Sequence, residues 1–549
     1  MSPKLSGLLI SDFTCDVLKA FLINLPEDPS CQIDIGDFGQ TINLLKNPSD
    51  PLWQKNFDFI VIWTQVMAVI PSFRRVLRFE DVPLEDLLLE CDVFINAVKE
   101  GSIKGRFIFV TSWSIPEFFR GYGPIDLKRA DGFRRVLLTL NTRLVEGLSD
   151  VPNVFVLSTQ RWLQMVGEKA CDPRLWYLSK IPYDPSVFKL AAGDIKASLR
   201  ACLGQSRKLI IVDLDNTLWG GIVGDDGWKN LHLGGHDPQG EAFADFQQVL
   251  KSYKERGIVL AIVSKNEEAV ALEAMERHPE MVLKKSDFAA FRINWNDKAQ
   301  NIEEILKELN LDPTAAVFID DNPRERDRVR EALPGVLVPQ WPENSLLYTK
   351  TLLSMSCFDT ILVSDDDRKR SQMYNQERER SDLRAQAQNL EEWLASLNTM
   401  VTTKLLTEAD LPRATQLLNK TNQMNLTTRR LSEQEFKAWS DKQGNRTWVF
   451  RVSDKLGDSG LTGIASLSCQ GQDAYIIDFV LSCRVFGRKI EDVMLQTLLQ
   501  ASKELGVKKL KAKYLPTEKN KPCLEFFNNR SGFTKDQNDV YVWDMKNAF

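Results

Sequence analysis

The hydrophobic pattern of this chain is a succession of short, unbroken apolar runs that stop abruptly at polar residues. The clearest is Leu209–Val212, which runs straight into Asp213, Asp215, Asn216 and Thr217 and closes on Gly220-Gly221. A continuous apolar run of this length predicts a parallel strand buried on both faces. Val259–Val263 repeats the pattern and ends in Ser264-Lys265-Asn266, and Ala315–Ile319 ends in Asp320-Asp321-Asn322. Between these runs, Phe243, Phe246, Val249, Leu250 and Tyr253 fall at helical spacing before Gly257. A second helical stripe, Ile302, Ile305, Leu306 and Leu309, follows Lys298. Residues 201–360 therefore read as a central α/β domain with three polar strand ends.

The flanks carry related patterns. In residues 1–200, the runs Leu8–Ser11, Phe57–Trp63, Phe107–Trp113 and Val154–Ser158 predict buried strands with helices between them. The strand-end groups Ser11-Asp12, Thr64 and Thr111-Ser112 could line a pocket, but capping of the following helices explains them more simply. Residues 361–400 are charged almost all round and predict a solvated linker helix that buries only its later part, near Leu390 and Trp393–Leu397. Residues 401–549 predict a further α/β domain. It has a helix at Ala409–Asn419, strands at Thr447–Val452, Leu461–Leu467 and Ala474–Leu481, and a helix at Ile490–Leu505. A strand at Lys509–Tyr514, a helix through Phe526-Phe527 and a strand at Val540–Trp543 complete it.

Composition narrows the class. A chain of 549 residues exceeds one hydrophobic core and points to three or four domains. The net charge of −5 argues against general nucleic-acid binding, and no apolar stretch is long enough to span a membrane. Nine scattered cysteines without a CxxC pair favour free thiols and a cytoplasmic setting. The three histidines, His232, His236 and His278, all lie in the central region, so neither flank holds a histidine-based triad. His232 and His236 sit in a glycine-broken stretch that reads as a loop rather than a zinc site.

The chemistry concentrates at the central strand ends. Asp213 and Asp215, two apart where a strand leaves the sheet, can converge on one region, which is where open α/β sheets bind ligands. An aspartate can attack a phosphoryl group if a divalent cation neutralises the meeting anions, and Mg²⁺ suits carboxylate and carbonyl oxygens. The remaining parts of such a site are a hydroxyl and a lysine. Thr217, Ser264, Lys265, Asn266 and Lys298 are the candidate phosphate-binding groups, with Asp213, Asp215, Asp320 and Asp321 around the metal. Only 46 residues separate Thr217 from Ser264 and 33 separate Ser264 from Lys298, too few for a large cap domain. An open site of this kind favours a bulky or protein-tethered substrate.

Asp213-Leu-Asp215-Asn-Thr217, Ser264, Lys298 and Asp320-Asp321 together resemble the four motifs of the haloacid dehalogenase superfamily. That resemblance implies a Rossmann-like domain with a minimal cap, Asp213 as nucleophile and metal ligand, and Asp215 as general acid/base ligating through its carbonyl. It makes Asp321 the fourth-motif ligand, supported by Asp320. DLDNTLWGGIVGDDG (Asp213–Gly227), FIDDNPRER (Phe318–Arg326), NQMNLTTRR (Asn422–Arg430), LSCRVFGRKIED (Leu481–Asp492) and YLSKIPYDPSVF (Tyr177–Phe188) resemble the FkbH-like family along the whole chain. Membership would imply a glyceryltransferase/phosphatase of polyketide pathways. Such an enzyme takes glyceryl from 1,3-bisphosphoglycerate, removes phosphate and loads the phosphopantetheine thiol of an acyl carrier protein. The N-terminal region would then be an SGNH-hydrolase-like or flavodoxin-like α/β domain without catalysis of its own.

The C-terminal region resembles the GNAT acyltransferase fold, with Arg484-Val-Phe-Gly487-Arg488-Lys489 at the place of the pyrophosphate turn. Lys489 replaces a small residue there, although Arg484 could still meet the phosphate of a pantetheine arm. Cys483, beside Arg484 and ahead of the helix, is a candidate acyl carrier, since a helix N-terminus and a cation favour a thiolate. Seven lysines in Lys503–Lys521, against Glu504 and Glu518, could form a docking face for an acidic carrier. Two other readings compete: a plain phosphatase whose flanks shield the site, and a non-catalytic carrier-binding scaffold.

Overall fold

The computed structural model describes residues 4–116, 118–361, 363, 380, 383–384, 389–517, 519–536 and 540–546. The chain divides into two compact units, Met1–Cys202 with Ser432–Gln434, and Leu203–Leu431 with Glu435–Phe549.

The first unit is built on five parallel strands: β1 (Leu5–Ser11), β2 (Cys31–Ile35), β3 (Phe57–Trp63), β4 (Gly105–Thr111) and β5 (Val154–Leu157). Their order is β2-β1-β3-β4-β5, so the winding direction reverses between β1 and β3. Four of these strands fall on the predicted apolar runs. β2 does not, because CQIDI alternates along an edge strand and forms no continuous run. Three of the polar strand-end groups tie neighbouring segments rather than capping their own following helices. Asp12 Oδ1 accepts from the Gln65 amide at 2.9 Å, Thr64 Oγ1 from Trp113 Nε1 at 3.1 Å, and Ser112 Oγ from the Thr159 amide at 3.2 Å.

The second unit holds two sheets. The first comprises β6 (Leu209–Val212), β7 (Val259–Ser264), β8 (Ala290–Ile293) and β9 (Ala316–Ile319), all parallel in the order β8-β7-β6-β9. Register pairs Leu209 with Val259 and Ala316, and Val212 with Ile262 and Ile319. Asp213 therefore leaves the sheet between two other strand ends. β6 is buried throughout because helices cover both faces. Helix Pro238–Glu255 presents Phe243, Phe246, Leu250 and Tyr253 to one face, and helix Lys298–Glu308 presents Ile302, Ile305 and Leu306 to the other. Each such apolar side chain contributes about 1.5–3 kcal/mol when fully buried. Between β6 and β7 stand only a one-turn helix (Val223–Asp226), a short turn (Trp228–Asn230) and helix Pro238–Glu255; no cap sheet intervenes.

The second sheet of this unit contains β10 (Met400–Leu405), β11 (Met424–Asn425), β12 (Asn445–Asp454), β13 (Gly457–Gln470), β14 (Asp473–Leu481), β15 (Lys509–Lys513), β16 (Thr534–Lys535) and β17 (Val540–Asp544). The path is β10-β12-β13-β14-β15-β17-β16, with β11 against β14. All its pairs are antiparallel except β14 with β15, which run parallel from Asp473 to Ile476. Helix Ile490–Glu504 packs Met494, Leu495 and Leu498 into this core.

The connector needs a correction. Arg380 is not solvated: it is buried, its guanidinium meets both carboxylate oxygens of Asp454 at 2.6 and 2.8 Å, and its carbonyl accepts from Trp393 Nε1 at 3.0 Å. Trp393 and Leu397, in helix Leu390–Leu397, are buried as expected. The linker-helix expectation for residues 364–379, and for the side chain of Leu390, lies outside the described residues. Among the described residues no helix is long and apolar enough to cross a membrane.

Candidate active site

The three strand ends converge. Lys298 Nζ lies 3.1 Å from Asp213 Oδ2 and 2.6 Å from Asp320 Oδ2, and all three residues are buried. Lys298 reaches this position because Asp297 caps its helix, accepting from the amides of Ala299 and Gln300. Burial works against the Lys298 ammonium, but Asp213 and Asp320 outweigh it and hold its pKa above the ordinary lysine value. Asp320 is pushed up to about 7, first by burial and then by the charge of Asp213. Asp321 is raised for the same two reasons in the same order.

One carboxylate oxygen from each of Asp213, Asp320 and Asp321 lies within 4.8 Å of the others. Asp213 Oδ1 is buried without a hydrogen-bond partner among the described residues. Three carboxylates facing one ammonium leave an uncompensated negative surplus when ionised, which is costly in a buried site unless a cation joins it. The donor set, oxygen only and part-buried, fits a hard divalent cation. Both Asp320 oxygens are already engaged, Oδ2 by Lys298 and Oδ1 by the Asn322 amide at 2.9 Å. The Asp321 amide donates to Thr217 Oγ1 at 3.2 Å. Thr217 thus stitches the first strand end to the third.

Asp215 is held differently. Its Oδ1 accepts from Trp219 Nε1 at 2.9 Å and from the Val223 amide at 3.1 Å, and its Oδ2 accepts from Asn266 Nδ2 at 2.8 Å. Burial raises its pKa in spite of these donors. Its carboxylate stands outside the cluster of three. Asn216 carries the chain through a left-handed turn (φ 53°), tolerable for Asn, while its side chain accepts from the Gly221 amide. Gly221 itself has φ 99°, and a Cβ there would stand 2.8 Å from Asp226 Oδ2. The paired glycines are thus required by the tight return of the loop. Ser264, buried at the end of β7, lies 3.4 Å from Asn266 Nδ2.

Comparison with known proteins agrees with this geometry. The family model of haloacid dehalogenase-like hydrolases matches residues 196–331. The crystal structure of the N-terminal part of protein BF1531 from Bacteroides fragilis, containing a phosphatase domain and complexed with Mg, is 30% identical with a TM-score of 0.60. The match covers 66% of this chain and 95% of that one. The chain belongs to the haloacid dehalogenase-like hydrolase family. Its C-terminal part is also similar to the Escherichia coli ribosomal-protein-S18-alanine N-acetyltransferase, at 13% identity over 27% of this chain and 97% of that one, TM-score 0.22. A Staphylococcus aureus acetyltransferase of the GNAT family matches at 11% identity over 27% and 99%, TM-score 0.21. No curated protein matches the sequence.

Within this haloacid dehalogenase-like site, not every expected residue stands at the cluster. Lys265 turns to Glu325, 2.7 Å away on helix Pro323–Ala332, so its charge is spent on an ion pair rather than held open for phosphate. His232 Nδ1 faces Asp237 Oδ2 at 3.3 Å in a loop, as the glycine-broken sequence implies. Cys483 and Arg484 lie past the end of β14 in the other sheet. They form the one-turn segment Cys483–Val485, and helix Ile490–Glu504 begins seven residues after Cys483, with Lys489 at its N-cap. The thiol is therefore not at that helix N-terminus, which removes one of the two reasons for a thiolate there. Arg484 Nε donates to Ser482 Oγ at 3.2 Å.

Sequence reasoning missed several supporting residues. Arg326 Nη1 donates to the carbonyls of Asp320 and Asp321 at 2.7 and 2.6 Å, fixing the third strand end from its own helix. Tyr348 OH donates to the Asn216 carbonyl at 3.2 Å. Trp219 is a third, since only the turn brings its indole N–H to Asp215.

Proposed function

We propose that the chain is a phosphohydrolase that works through an aspartyl-phosphate and, following its sequence resemblance, serves glyceryl transfer to an acyl carrier protein. The observation that carries the phosphatase part is the convergence of Asp213, Lys298, Asp320 and Asp321 around the unpartnered Asp213 Oδ1. Mg²⁺ held by Asp213, Asp321 and the Asp215 carbonyl would neutralise the anions that meet when phosphate approaches. Asp213 attacks phosphorus, and the bond from phosphorus to the leaving oxygen breaks. Asp215 supplies the proton that this oxygen needs. It then takes a proton from the water that cleaves the aspartyl-phosphate, returning Asp213 and releasing inorganic phosphate. Ser264 hydrogen-bonds a phosphate oxygen and Lys298 offsets its charge.

For glyceryl transfer, the donor is 1,3-bisphosphoglycerate. The Cys483 thiolate attacks its acyl carbon, the acyl–oxygen bond breaks with loss of the 1-phosphate, the Asp213 site hydrolyses the remaining 3-phosphate ester, and the glyceryl thioester passes to the pantetheine thiol, returning the Cys483 thiol. Arg484 offers a charge to the pantetheine phosphate. The resemblance of the motif tracts supports this reading. A plain phosphatase is the second reading, favoured by the separation of Cys483 from the helix N-terminus.

Incubation with Mg²⁺, 1,3-bisphosphoglycerate and a phosphopantetheinylated carrier, followed by intact-protein mass spectrometry, distinguishes them. Glyceryl mass on the carrier, absent with Cys483→Ala, is the expected result. Phosphate release without an adduct on either protein selects the plain phosphatase.

A further inference from the structure

The rim of the strand-end site carries an unusual side chain. Trp295 follows β8 by two residues and precedes Lys298 by three. It is 72% exposed, and among the described residues it is the one exposed tryptophan. Its loop is nevertheless firmly built. The Asn294 amide donates to the Ser264 carbonyl at 3.1 Å, and Asn294 Oδ1 accepts from the Asn296 amide at 3.0 Å and from Asn301 Nδ2 at 2.9 Å. The loop that carries Trp295 is thus anchored at the Ser264 strand end and to the helix of Lys298.

The neighbouring loop has the same character. Ile222, 46% exposed, sits next to Val223, whose amide holds Asp215. Two residues further, a Cβ on Gly224 would lie 3.9 Å from Asn266 Oδ1, so this loop passes over the end of β7. Two loops at the strand ends thus carry an exposed indole and an exposed aliphatic side chain. Exposing a tryptophan forgoes a large apolar burial, and stacking against a planar partner recovers part of it.

We propose that Trp295 is a specificity-determining residue: it contacts the organic part of the substrate and selects phosphorylated compounds that extend an apolar or planar group past the phosphate. This rests on the plain-phosphatase reading of the site, since 1,3-bisphosphoglycerate extends no apolar or planar group past its phosphates. The test uses the full chain with Mg²⁺, phenylphosphonate and methylphosphonate as non-hydrolysable probes in calorimetry, and p-nitrophenyl phosphate for turnover. Trp295→Ala should weaken phenylphosphonate about five- to tenfold and leave methylphosphonate within twofold, with Trp295→Phe recovering most of the loss. In turnover, KM for p-nitrophenyl phosphate should rise by a similar factor while kcat holds. Equal effects on both phosphonates, or none, overturn the proposal. Discrimination by Trp295 without turnover would leave it standing and sink the phosphatase reading, whereas turnover without discrimination does the reverse. Failure of wild-type protein to bind either phosphonate overturns both.

Discussion

Lys298 balances the charge of the site, holding Asp213 and Asp320 in one buried ion cluster. Removing its ammonium takes away both the phosphate's counter-charge and the clamp on two carboxylates. Lys298→Met should lower the rate of phosphate release by about a hundred- to a thousandfold, read by a coupled phosphate assay at saturating substrate. Metal removal separates a second contribution. Dialysis against EDTA should abolish phosphate release by the wild type, and added Mg²⁺ should restore it. A metal-independent rate would contradict the role given to Asp213 and Asp321. Asp213, Asp320 and Asp321 were visible in the sequence at strand ends and Lys298 at the head of a helix. Lys265 was visible in the same way, yet it pairs with Glu325, because strand-end position sets the neighbourhood of a side chain and not its direction.

At the scale of elements, Gln247 shows what an apolar stripe conceals. It lies fully buried on helix Pro238–Glu255, donates to the Leu218 carbonyl at 2.8 Å, and accepts from the amides of Val282 and Leu283 at 3.0 Å. This one side chain ties the loop after Asp215 to the segment after helix Glu268–Arg277. Gln247→Leu should cost about 2–3 kcal/mol in urea unfolding, because buried backbone groups lose their partners. An unchanged midpoint would mean that water replaces the amide. The apolar pattern revealed the central strands together with two at sheet edges, β5 and β9, whose short runs are apolar throughout. β2, β8, β10 and β16 at sheet edges and the two-residue β11 escaped it, since a strand with one open side needs no continuous apolar run. Four strands of the first unit, and the order of the motif-bearing elements in the second, were legible because their apolar runs are unbroken.

Across the second unit, Asp454 joins distant stretches of chain. Its carboxylate, at the end of β12, meets Arg380 of the connector and Arg488, whose Nη1 lies 3.0 Å away. Burial opposes its charge, yet the two guanidiniums hold its pKa below the ordinary carboxylate value. The sign follows: a depressed folded-state pKa stabilises the fold above the unfolded value, about 3.9, and the contribution fades as pH falls through the folded value. The stability gap between wild type and Asp454→Asn should therefore be full at neutral pH and shrink in acid below about pH 4, as followed by urea unfolding at a series of pH values. Asp454→Ala should cost about 3–5 kcal/mol at pH 7, since two buried guanidiniums lose their counter-charge. A gap independent of pH would show that packing, not charge, holds the connector.

The sequence by itself determined where strands end and which side chains emerge there. An apolar run buried on both faces leaves its trace residue by residue, and so do the carboxylates, hydroxyl and lysine that interrupt it. It also determined the absence of a large cap, because interval length limits what can fold between two motifs. Only the tertiary structure decided which of those side chains meet. Asp213, Lys298 and Asp320 share one ion cluster, Asp215 is drawn aside by Trp219, Val223 and Asn266, and Lys265 is diverted to Glu325. Contact between residues more than a hundred positions apart, as between Thr217 and Asp321, depends on sheet order and helix placement. These follow from the packing of the whole core, and no local pattern encodes them.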